Sequence, residues 1–90
     1  MSNVKLRFTG MLSENKKGQI WVQDPVSGNY HELDEVGGTI CRLLKKPLCF
    51  EELVDALLNE YEVERQQCEA DVKPFLVKLQ ANGLLREEQA

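Results

Sequence analysis

Apolar and polar positions change period about one third of the way along the chain. Val4, Leu6 and Phe8 alternate with Lys5, Arg7 and Thr9, the period-two pattern of a half-buried strand. The polar run Ser13-Glu14-Asn15-Lys16-Lys17-Gly18 breaks that pattern and predicts a turn. Gln19-Ile20-Trp21-Val22-Gln23 is rich in residues that fit a pleated surface. Asp24-Pro25-Val26-Ser27-Gly28-Asn29 is dense in turn formers, and Tyr30-His31-Glu32-Leu33 reads as the return strand. A hairpin joined by a third strand is expected, the third strand being Val4 to Phe8.

From Asp34 onward the spacing is helical. Asp34 suits an N-cap, followed on one face by Val36, Ile40, Leu43 and Leu44, with Pro47 ending the helix. Gly37 and Gly38 each cost up to about 1 kcal/mol inside a helix, so close packing against another element is expected there. A second helix opens at Cys49, with Glu52 three residues on in a box-like arrangement and a stripe of Leu53, Val54, Leu57, Leu58 and Tyr61. The third carries Cys68, Val72, Phe75, Leu76 and Leu79 on one face and stops at Asn82-Gly83. Because that stripe runs through Pro74 unbroken, one kinked helix is expected and not two short ones. Leu84 and Leu85 should tuck back onto the body, and Glu87 to Ala90 should fray. The order predicts a single α+β domain of winged-helix type spanning residues 1–90, a three-stranded antiparallel sheet followed by three helices, with its core between about residues 3 and 86.

Composition narrows the function classes. Ninety residues, 42% apolar and 29% charged, suit one soluble domain. No apolar run approaches the roughly 18 residues of a membrane span, and the first residues lack the apolar centre of a secretion signal, so a cytoplasmic protein without membrane association is expected. Cys41, Cys49 and Cys68 are odd in number and widely spaced, which argues for reduced thiols and against a disulfide framework or a metal site. The net charge of −4 is uneven. Between Cys49 and Asp71 eight carboxylates face Arg65 alone, while basic residues gather near the start and around Arg42, Lys45 and Lys46. A winged-helix order invites a DNA-binding or regulatory reading, but helices this acidic would repel phosphates, and no nucleic-acid partner is expected. The acidic run reads as a solvated face, or as a docking surface for a basic patch on an enzyme. One histidine, with no nucleophile elbow, phosphate-cradling loop or paired-carboxylate motif, argues against an enzyme. Trp21, the single tryptophan, is expected in the core, and His31 as an exposed polar residue on its strand.

Several stretches in order carry a resemblance. Tyr30 to Leu44, with Leu33-Asp34 followed by Gly37 and Ile40, continues through Phe50-Glu51-Glu52-Leu53-Val54, Tyr61-Glu62-Val63, Asp71-Val72, Phe75-Leu76 and Gly83-Leu84-Leu85. Together, across about residues 17 to 86, these resemble the PqqD-like family of coenzyme PQQ synthesis proteins and peptide-recognition elements. The resemblance implies a non-catalytic chaperone that takes no cofactor. Its partners would be the leader segment of a ribosomally made precursor peptide and a modifying enzyme, such as a radical SAM enzyme. A structural scaffold for a tailoring complex is the alternative. The leader would add as a strand beside the strand ending at Leu33 and lie in the groove made with the third helix. On this sequence the binding residues would be Gly28, Asn29, Tyr30, His31, Glu32 and Leu33 with Val72, Phe75, Leu76 and Leu79. Cys41 stands where a bulky aromatic is frequent in the family, Cys49 where threonine is frequent, and Pro74 is unusual. Lys73 and Gln80 flank the apolar stripe on one side, Asp71 and Lys78 on the other, and the sequence leaves open which flank faces the peptide.

Overall fold

The computed structural model describes residues 4–89; residue 3, at the expected start of the core, and Ala90 lie outside them. The elements run β1 (Val4–Phe8), β2 (Met11–Glu14), β3 (Ile20–Gln23), β4 (Tyr30–Leu33), α1 (Glu35–Leu43), α2 (Phe50–Glu60), α3 (Arg65–Ala81) and β5 (Leu85–Gln89). The expected three-stranded antiparallel sheet is present in the order β2-β3-β4, followed by the three helices.

Its third strand is not Val4 to Phe8. That segment pairs antiparallel with β5 in a separate ribbon, with Val4 opposite Gln89 and Phe8 opposite Leu85. The strand next to β3 is Met11 to Glu14, so the turn shrinks to the residues after Glu14, where Asn15 Oδ1 accepts from the N–H groups of Lys17 and Gln19. Residues 87 to 89 therefore do not fray: β1 supplies backbone partners, and Arg7 lies 3.5 Å from Glu88. Gly10 lets the chain cross from ribbon to sheet, since a Cβ there would lie 2.8 Å from the side chains of Leu84, Phe8 and Val22.

The helices follow their predicted caps. Asp34 Oδ1 accepts from Gly37 N–H at 2.7 Å and starts α1, which ends at Leu43, before Pro47. A Cβ on Gly38 would stand 2.4 Å from Ile20 Cδ1, and one on Gly37 3.2 Å from the Phe75 ring. Both glycines thus let α1 approach the sheet and α3. Glu52 accepts from Cys49 N–H at 2.9 Å at the start of α2, and this hydrogen bond, with Lys5 3.7 Å away, holds the Glu52 carboxyl below its ordinary range. Thr39 Oγ1 donates to the Glu35 carbonyl at 3.0 Å and accepts from Tyr61 O–H at 2.9 Å, tying α1 to the end of α2. α3 is continuous through Pro74. Pro74 and Ala70 are both exposed, so water can serve the Ala70 carbonyl that the missing N–H leaves without a donor. Gly83, at φ 72°, closes α3: its N–H reaches the Gln80 carbonyl and Leu84 N–H the Leu79 carbonyl.

The core joins Val22 of the sheet and Phe8 and Leu85 of the ribbon to Ile40, Leu44, Leu53, Val54, Leu57, Val72, Leu76 and Leu79 of the helical part. Cys41 is fully buried within it, and that burial pushes its thiol up to about 12. No helix among the described residues is long and apolar enough to cross a membrane.

Candidate functional site

The sheet has two outer strands, β2 and β4, each paired on one side only among the described residues. β4 and α3 frame a cleft lined by Val22, His31, Glu32, Leu33, Phe75, Lys78, Leu79, Asn82 and Leu84. It holds about 30 Å³, so only the tips of side chains can enter it. A ligand here would lie along the cleft.

Backbone polarity along β4 follows from the hairpin. Asp24 N–H donates to the Asn29 carbonyl at 2.9 Å, which makes residues 24 and 29 a hydrogen-bonded pair. Bonded and non-bonded pairs alternate along an antiparallel ladder, so His31 and Leu33 spend their backbone groups on Val22 and Ile20. Tyr30 and Glu32 turn both N–H and C=O to the open side. Those four groups are the binding capacity of the edge.

The residues expected at the site separate into three sets. His31, Glu32 and Leu33, with Phe75 and Leu79, line the cleft. Tyr30 is 60% exposed, its ring on the opposite face of the sheet across from Gln23, so it contributes backbone. Gly28 and Asn29 belong to the turn, where Gly28 N–H is taken by the Asp24 carbonyl and Asn29 N–H by Ser27 Oγ; the usable edge starts at Tyr30. Val72 and Leu76 are 2% and 8% exposed and back the cleft from within the core, outside its lining.

His31, expected to be exposed, is half-buried on the inner face opposite Val22. Trp21, expected in the core, instead lies on the outer face, half-buried between Ser13 and Glu32. Alternation decides this: Val22 is the fully buried residue of β3, and its neighbours must point the other way. Of the two α3 flanks, the one carrying Lys78 and Asn82 lines the cleft, while Lys73 stands 5.7 Å over the Phe50 ring on the side of α2. Val22, Asn82 and Leu84 were not expected at the site. Asn82 lies seven residues after Phe75, two helical turns along the same flank, a spacing that could have found it.

The family model for coenzyme PQQ synthesis protein D (PqqD) matches residues 19–85. This chain belongs to the PqqD family. Two solved structures share the PqqD-like fold. One, TbiB1 in complex with the TbiA(beta) leader peptide, is 30% identical with a TM-score of 0.76, over 89% of this chain and 94% of the other. The second, lasso peptide synthetase B1 complexed with the leader peptide, is 26% identical with a TM-score of 0.72, over 94% of this chain and 99% of the other. A search of the curated proteins finds no match.

Proposed function

We propose that this PqqD-family protein binds the leader segment of a ribosomally made precursor peptide by strand addition to β4, without catalysing a reaction itself, and presents it to a modifying enzyme in the cytoplasm. The supporting observation is the outward N–H and C=O groups of Tyr30 and Glu32 beside the cleft floored by Leu33, Phe75 and Leu79. Backbone pairing supplies affinity for any extended chain, and selection comes from side chains that enter the cleft at alternate positions. Val72 and Leu76 hold the wall in place, and Gly28 and Asn29 fix where the edge begins. The neighbours with this fold are complexes with leader peptides, which favours peptide over nucleic acid as the ligand. Within the PqqD family a radical SAM enzyme is the partner type we favour.

Calorimetry with the synthetic leader of the precursor encoded beside this gene tests the reading. Saturable binding is expected, and a scrambled leader should bind more weakly. Glu32→Pro removes one outward N–H without breaking the ladder to β3, and should weaken binding by about 0.5–1.5 kcal/mol, roughly two- to thirteenfold. Absence of binding by the folded protein would overturn the proposal.

A further inference from the structure

The opposite edge of the sheet carries a second groove with different chemistry. Asn15 N–H donates to the Gln19 carbonyl at 3.0 Å, so by the same alternation Ser13 and Met11 are bonded to β3 while Leu12 and Glu14 turn their backbone groups outward. Beside this edge lies a pocket of about 180 Å³ lined by Leu12, Ser13, Glu14, Ile20, Arg42 and Lys45, against about 30 Å³ for the β4 cleft. Arg42 and Lys45, both exposed, have no carboxylate partner among the described residues, and Arg42 spends only its Nε–H, on the Gly38 carbonyl at 3.4 Å. Lys46 follows Lys45, and Lys16 and Lys17 occupy the turn after β2, likewise without ion pairs. Glu14 at the rim offsets one of these charges.

We propose that the β2 edge and the end of α1 form a second docking groove, which takes an acidic extended segment of a protein partner independently of the β4 cleft. The free edge selects a peptide backbone, which a nucleic acid lacks. Leu12 and Ile20 offer an apolar floor for alternate side chains, and the unpaired cations select carboxylates on the remaining positions. Two strands added at opposite edges would not compete, so leader and partner could be held at once.

The test is an amide-resolved NMR titration of the full ¹⁵N-labelled chain with a short capped peptide in which glutamate and valine alternate, and with its lysine–valine counterpart. The acidic probe should shift Leu12 and Glu14 and slow their exchange, leave Tyr30 and Glu32 unmoved, and bind less as salt rises. The basic probe should not bind there. R42E/K45E should weaken the acidic probe by about tenfold or more, while leader binding at β4 persists. Loss of leader binding in R42E/K45E would overturn the independence of the two grooves, whereas failure of the unsubstituted protein to bind the leader would count against the β4 reading and not this one. The proposal is overturned if the acidic probe leaves β2 silent or moves only β4, or if R42E/K45E binds it unchanged. Shifts at β2 on concentrating the protein alone, or retention of duplex DNA through Arg42 and Lys45, would assign the groove to a second copy or to nucleic acid and overturn it equally.

Discussion

Leu79 and Phe75 sit four residues apart on α3 and touch the same cleft, yet their substitution should read differently. Leu79 is 3% exposed, so Leu79→Asp buries an unpaired carboxylate and should cost at least about 3 kcal/mol, seen as loss of the cooperative melt. Phe75 is half-buried; Phe75→Ala should cost about 1–2 kcal/mol in chemical denaturation and leave a folded protein that binds the leader more weakly. The thiols separate by burial. Cys41, fully buried and pushed up to about 12, and Cys68, also buried and raised by burial, should resist alkylation in the native state, whereas half-buried Cys49 should react first. Mass spectrometry after a native iodoacetamide pulse checks the order. At this scale the sequence marks Phe75 and Leu79 through helical spacing. It hides Val22 and Leu84, because contact between a strand, a helix and the turn after it is set by packing and not by local period.

The elements show where periodicity speaks and where it is silent. α1, α2, α3 and the hairpin of β3 and β4 were legible because each carries its own apolar pattern and caps. β5 was not: Leu85-Arg86-Glu87-Glu88-Gln89 has no alternation, and it is a strand because β1 offers it a ladder and basic side chains. The same contest between local preference and contact governs Gly38. Alanine there gains up to about 1 kcal/mol of helix propensity but drives a Cβ into Ile20, an overpacking cost of about 1–3 kcal/mol. Gly38→Ala should therefore lower the denaturation midpoint. The start of α2 adds a pH dependence. The Glu52 carboxyl is held below its ordinary range chiefly by the Cys49 N–H, so its contribution is present above the ordinary carboxylate range and is lost as pH falls through the lower folded value. Glu52→Gln keeps an acceptor without titrating, and should flatten the acid limb of a stability-versus-pH curve measured below about pH 5.

For the molecule as a whole, one sheet with two open margins and three helices behind it divides the surface by charge. Carboxylates from Glu51 to Asp71 cover α2, the start of α3 and the loop between them, whereas unpaired lysines and Arg42 gather around β2 and the end of α1. The β4 cleft lies between a sheet edge that carries the single carboxylate Glu32 and the Lys78 flank of α3. The central claim is that an extended peptide completes the sheet at β4. Amide-resolved hydrogen exchange, with and without the leader, tests it most directly. His31 and Leu33 should be protected in both states, and Tyr30 and Glu32 should gain protection only when the leader is bound. Binding that leaves Tyr30 and Glu32 exchanging freely, or that protects β2 or β5 in their place, would contradict the account.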